Sequence, residues 1–249
     1  MFLKRRAGGV KNKKEFELCA DTLHACIAAA EGGADRIELC AALGEGGVTP
    51  SLGFLQEVLQ AVTIPVHVLI RPRAGDFIYS DAEFRMMCID IRTAIERGAT
   101  GIVVGTLTPE LHVDRQHMAA LIRCAEGKPV TFHRAFDQIQ KLDEALEILI
   151  DLGCHRVLTS GGKPDVMQGA TALRQLAEQA HGRIRVAAGG GITLENAARF
   201  TAIRELDLHA SLRRKIELVN ASDPLWQTAA SVDVQDVRAI RRIVHALAR

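Results

Sequence analysis

Gly33-Ala34-Asp35-Arg36-Ile37, Gly98-Ala99-Thr100-Gly101-Ile102 and Gly153-Cys154-His155-Arg156-Val157 follow one pattern, a glycine at the close of an amphipathic run and a β-prone residue soon after it. Glycine tolerates the left-handed conformation that ends a helix, so each stretch reads as a helix stop feeding a strand start. The first glycines lie 65 and 55 residues apart, spacings that suit two βα units apiece.

Working outward, eight β-prone runs alternate with longer amphipathic stretches, at 15–19, 36–40, 66–71, 101–105, 129–133, 156–159, 183–187 and 205–209. Such alternation predicts a parallel sheet with crossover helices, and a chain of 249 residues matches one α/β barrel. An open doubly wound sheet would want a G-x-G-x-x-G turn after its first strand, whereas the first strand here runs into Ala20-Asp21-Thr22. The expected fold is therefore a single (β/α)8 barrel of TIM type over 14–249, preceded by a flexible basic tail at 1–13. Thr49 with Pro50 predicts one helix start and Ser80 with Glu83 a capping box, after which Phe84, Met87, Cys88, Ile91 and Ile95 form one apolar stripe. Gly32, Gly98, Gly153 and Gly182 stand where left-handed caps are wanted, and 232–249 reads as the last barrel helix.

Lys plus Arg number 31 against 30 Asp plus Glu, so no long-range field draws the chain to a polyanion and nucleic acid is not an expected partner. The cluster Lys4, Arg5, Arg6, Lys11, Lys13, Lys14 has no interleaved aromatics and reads as a solvated tail. No apolar run of about 18 residues and no signal-like h-region occurs, which gives a cytoplasmic, membrane-free expectation. Six cysteines without tight spacing read as reduced thiols.

Strand parity decides what lines the barrel, because alternate residues point inward. Phe16, Leu18, Ile37 and Leu39 are expected to face the helices, leaving Glu17, Cys19, Glu38 and Cys40 in the lumen. His67, Leu69 and Arg71 share one parity, as do Thr131 with His133 and Asp207 with His209 and Ser211. Glu17, Glu38, Arg71, His133 and His209 are thus the candidate catalytic residues near the carboxyl face, where barrel enzymes keep their sites. A structural ion-pair plug would use the same residues. Ser160-Gly161-Gly162 and Gly189-Gly190-Gly191, the latter before a helix expected near Thr193, are candidate anion nests, or simply tight turns. Cys19 and Cys40, on neighbouring strands, are either core thiols or the two soft ligands of one ion, for which Cu(I) is the fitting metal.

Several runs carry a family likeness: GGADRIELC from Gly32, GEGGVTPS from Gly44, PVHVLIRPR from Pro65, GDFIYSDAE from Gly75, TFHRAFD from Thr131, LTSGG from Leu158, GGGI from Gly189 and HAS from His209. Together they resemble the CutC family of copper homeostasis proteins over roughly residues 14–211. The resemblance implies a cytoplasmic, oligomeric barrel associated with copper handling, with Cu(I) bound by cysteines matching Cys19 and Cys40. Among oligomers a dimer is favoured, since cyclic dimers are commonest. No reaction comes with the resemblance, so an enzyme remains the alternative. It would act on a small phosphorylated or carboxylated metabolite, held by the glycine loops and Arg71, with His133 and Glu17 or Glu38 exchanging protons. Residues 1–13 and 212–227 depart from the family pattern.

Overall fold

The computed structural model describes residues 13–217 and 228–246. Strands β1 (Phe16–Ala20), β2 (Arg36–Leu39), β3 (Val66–Leu69), β4 (Gly101–Val104), β5 (Val130–Phe132), β6 (Arg156–Thr159), β7 (Arg185–Ala188) and β8 (Leu206–Ala210) pair in chain order, all parallel. β8 returns to β1, with Phe16 opposite Leu208, so the sheet closes into the expected TIM-type barrel and leaves no free edge. The strands are shorter than the periodicity indicated, and His133 falls just past β5.

Seven helices connect the strands and an eighth follows the last: α1 (Leu23–Gly32), α2 (Leu52–Ala61), α3 (Asp81–Glu96), α4 (Arg115–Cys124), α5 (Leu142–Leu152), α6 (Ala170–Ala180), α7 (Ala197–Thr201) and α8 (Val234–Ala246). The Ser80–Glu83 capping box opens α3, whose Met87 and Ile91 are buried while Phe84, Cys88 and Ile95 pack partly against the core. The start of α2 differs from expectation. Ser51 caps it by accepting from the Phe54 amide at 3.2 Å, because the Thr49 hydroxyl is already taken by the Arg71 amide at 2.9 Å. Gly153 closes α5 at φ 81° as expected, but α1 closes on Gly33 and α6 on His181, one residue from the expected Gly32 and Gly182, and Arg97, not Gly98, caps α3.

Two apolar clusters separate inside from outside. Phe16, Leu18, Ile37 and Leu39 join the large core between strands and helices, whereas Cys19, Cys40, Leu69 and Val103 form a small one within the lumen. Strand phase is thus as read from parity. The amino end of the lumen is filled by charge. Arg156, fully buried, pairs with Asp207 at 2.9 Å and with Glu15; Arg185 pairs with Asp207 at 2.6 Å, and Arg36 with Glu15 at 3.2 Å.

After β8, an antiparallel ribbon of β9 (Arg213–Glu217) and β10 (Thr228–Val232) precedes α8, which buries Val237, Ile240 and Val244. Lys4, Arg5, Arg6, Lys11 and Leu247 lie outside the described residues. Lys14 does not belong to a free tail, since its ammonium donates to the carbonyls of Thr201 and Ile203. No helix among the described residues is long and apolar enough to cross a membrane.

Candidate functional site at the carboxyl mouth of the barrel

A cavity of about 910 Å³ opens at the carboxyl ends of the strands. Cys19, Glu38 and His209 border it, together with Arg71, His133 and Arg134. Glu17 and His209 are register partners on β1 and β8, and His209 Nδ1 lies 2.8 Å from Oε1 of Glu17, with Arg36 on the other carboxyl oxygen. Burial pushes the Glu17 carboxyl up, but Arg36 and His209 outweigh it and hold the group well below the usual carboxylate range. Glu17 is therefore a fixed anion that orients the His209 ring. The expectation that it exchanges protons with a substrate is corrected: it does not border the cavity, and both its oxygens are engaged.

His209 itself is lowered by burial but lifted further by the charge of Glu38 and by its hydrogen bond to the Glu17 carboxylate, to a net value above ordinary imidazole. Glu38 sits opposite Cys19 in the register of β1 and β2. Burial raises its carboxyl, with the His209 charge opposing, and Oε2 has no partner among the described residues. The Cys19 thiol donates to Oε1 of Glu38 at 3.3 Å, and its sulfur is 3.7 Å from that of Cys40. The Cys40 contact, burial and Glu38 together raise the Cys19 thiol well above its usual range. One ligand atom each of Cys19, Glu38 and His209 falls within 4.8 Å of the others, so two donor sets overlap at Cys19: a soft sulfur pair and a mixed sulfur, oxygen and nitrogen triad. Cys40 does not border the cavity; it reaches the site only through Cys19.

Arg71 is largely committed to architecture. Nη1 donates to the carbonyls of Glu45 and Gly47 at 3.2 and 2.8 Å, and Nη2 to that of Gly75 at 2.7 Å, which pins the loops after β2 and β3. His133 accepts from the Ala135 amide at Nδ1, 3.1 Å away. The ring has room because position 105 is glycine: a Cβ there would come 2.7 Å from its Cε1 and Nδ1. Gly101 stands in the same relation to His67 at 2.6 Å.

The glycine loops divide. Ser160 and Gly162 do form a nest, but its anion is internal, because both amides donate to Asp137, at 2.9 and 3.0 Å, and the Gly161 amide to the Thr159 hydroxyl. Gly189 makes a ladder bond to Thr159 and gives space to Leu158 and His209 in place of any ligand contact. Of the glycines in these two loops, Gly190 and Gly191 alone border the cavity. The helix expected near Thr193 begins at Ala197 and spans five residues, too short to strengthen that loop. Asp137 and Arg134 were missed from sequence. Arg134 bonds Asp137 at 2.8 Å and the Ser160 hydroxyl at 2.9 Å, and the three-residue spacing within TFHRAFD was the available signal.

The match to known proteins agrees with the barrel fold. The model of the CutC family matches residues 14–213. The chain belongs to the CutC family. A human relative described as a copper homeostasis protein cutC homolog is 50% identical over 191 residues, covering 77% of this chain and 70% of that one. A CutC family protein of Pasteurella multocida is 42% identical over 244 residues, 92% of this chain and 98% of its own. The crystal structure of CutC from Streptococcus agalactiae superposes with a TM-score of 0.75 at 33% identity, covering 80% of this chain and 98% of that one. Every residue of the mouth from Cys19 to Ser211 falls inside the CutC match, whereas residues 1–13 and β10 fall outside it.

Proposed function

We propose that this CutC-family barrel binds Cu(I) in the cytoplasm, with Cys19 and Cys40 as its ligands. The observation that carries this reading is the 3.7 Å separation of two buried sulfurs at the base of an open mouth. Cys19 and Cys40 would hold the ion between their sulfurs, and His209 beside Cys19 would be available as a further donor. Two buried thiols suit a soft monovalent ion, whereas the triad of Cys19, Glu38 and His209 suits a borderline divalent ion. Titration of Cu(I) against a competing chelator separates the two. Cys40→Ser should lose about two orders of magnitude in Cu(I) affinity, equivalent to about 2.8 kcal/mol, while Glu38→Gln stays near wild type. Equal affinity of Cys40→Ser and wild type would remove the sulfur pair from consideration. Such a barrel is expected to act as a homo-oligomer, and Met86 and Ile89, exposed on α3, supply an apolar face for pairing.

A second reading is favoured by the raised carboxyl of Glu38 beside the Glu17–His209 pair, an arrangement suited to proton transfer in a barrel enzyme acting on a small anionic metabolite. On this reading inorganic phosphate or small carboxylic acids raise the melting temperature of wild type by mass action. A flat response across such a panel would count against it.

A further inference from the structure

The loop after β7 has its carbonyls committed and its amides free. The Gly190 carbonyl accepts from the Val166 amide at 2.9 Å, and that of Gly191 from Nδ2 of Asn196 at 2.7 Å. The amides of Gly190 and Gly191 have no acceptor among the described residues. Gly190 is half-buried and Gly191 exposed, at φ 101° and 91°, and both border the cavity. An amide that meets water costs little to leave, so these two alone make no site.

Arg134 supplies the second observation. Its Nε donates to Asp137 at 2.8 Å and its Nη2 to the Ser160 hydroxyl at 2.9 Å, whereas Nη1 has no partner among the described residues. The side chain is 41% exposed and borders the same cavity, so its free edge is within reach of solution. Its place against the loop is fixed, because a Cβ built on Gly190 would come 2.9 Å from both Cζ and Nη1. Nη1 thus lies against the Gly190 backbone, and a side chain at 190 would displace it. Asp137 is itself locked by the amides of Ser160 and Gly162 at 2.9 and 3.0 Å. The ordering that an arginine ordinarily undergoes when it captures an anion is already done.

Charge alone does not select the ligand. Four cations bordering the cavity are each matched by an acid: Arg134 by Asp137, Arg214 by Asp236 at 2.5 Å, Arg213 by Asp21 at 3.7 Å and His209 by Glu17 at 2.8 Å. Arg71, which meets carbonyls, and Glu38 and Glu195 complete the charged lining. Asp165, beside Gly191, has its carboxylate engaged by the amide and side chain of Gln168. With the mouth near balance, recognition falls to donors that each have an oxygen to meet. Three donors from two segments suit a group with three free oxygens, whereas a carboxylate offers two in one plane.

We infer that Nη1 of Arg134 and the amides of Gly190 and Gly191 bind a phosphoryl group, of inorganic phosphate or of a small phosphate ester. This rests on the enzyme reading of the mouth and narrows its ligand to the phosphorylated class. Calorimetric titration of the full chain with inorganic phosphate, glycerol 3-phosphate and acetate, at constant ionic strength, tests it. A phosphoryl ligand should bind saturably and acetate should not; tighter binding of the ester would mean that the mouth also holds its remainder, and equal binding that the phosphoryl group suffices. Arg134→Lys keeps a cation for Asp137 but removes the fixed edge, and should weaken the phosphoryl ligand about tenfold or more, the loss of a charge-assisted hydrogen bond. Arg214→Gln removes a charge from the mouth and none of the three donors, and should leave affinity within about twofold. Proton and nitrogen-15 spectra of wild type, which do not depend on a variant folding, should show the Gly190 and Gly191 amides moving on addition of phosphate. Unmoved amides, unchanged binding in Arg134→Lys, or an equal loss in Arg214→Gln would overturn the inference. Binding of acetate without phosphate would overturn it while sparing the broader reading of a site for small anions, and no binding of any of the three would remove both.

Discussion

Gly105 and His133 fit one another as a pair, and the fit can be tested by adding a single methyl group. A Cβ at 105 would press on the imidazole at 2.7 Å, so Gly105→Ala should destabilise the protein by about 1–3 kcal/mol in urea unfolding, as overpacking does. Gly53, inside α2 with nothing within 4 Å of its hypothetical Cβ, is the control; Gly53→Ala should stabilise by about 0.5–1 kcal/mol. A loss of stability in both variants would point to a general intolerance of alanine and remove the argument from ring contact. At this scale the inward set Glu17, Cys19 and Glu38 was legible, because parity along a strand has only two answers. The fate of Arg71 was not: its partners are the carbonyls of Glu45, Gly47 and Gly75, on loops whose course no periodicity describes. Cys40 was read correctly as inward, yet it lies just past β2, where it packs beneath Gly47 and stays off the cavity wall.

Between residue and barrel, elements were legible where their signals are local. The capping box at Ser80 and the αL cap at Gly153 involve residues a few positions apart, and both were found. Thr49 and Ser51 are equally good caps in isolation; the choice fell to Ser51 because the segment after β3 brings in Arg71, whose amide takes the Thr49 hydroxyl. The same limit explains the loop after β6. Composition announces a nest at Ser160-Gly161-Gly162, but not whether its anion comes from solution or from a side chain 23 residues away. Asp137, presented by the short 3-10 turn Arg134–Gln138, fills that role. Of the glycines in the two candidate nests, Gly190 and Gly191 are therefore the ones that border the cavity.

For the molecule as a whole, the buried histidines tie stability to pH. His67 and His133 are both pushed down to about 3 by burial, aided by Arg36 and Arg71 respectively, whereas the unfolded chain takes up these protons near 6.5. Between those values the unfolded state binds more protons, so the stabilisation is complete above about 6.5 and is lost as pH falls toward 3. Each ring contributes a slope of up to about 1.4 kcal/mol per pH unit within that window. Chemical unfolding measured from pH 7 to pH 5 should therefore show a shallower decline for His133→Gln than for wild type; parallel curves would mean that the ring is already protonated in the fold. The closed sheet and the eightfold alternation were anticipated by the eight alternating β-prone runs, and the two-cluster partition by strand parity. The ribbon of β9 and β10 was not, since its pairing joins segments on either side of 218–227. The charged amino end of the lumen carries a further consequence. Glu17 and Arg156 are sealed there at 0% exposure, so among the described residues side chains close the amino end of the lumen. On the proposed reading, an ion held by the sulfurs would leave by the door it used, and its hand-off to an acceptor would take place at the same threshold as loading.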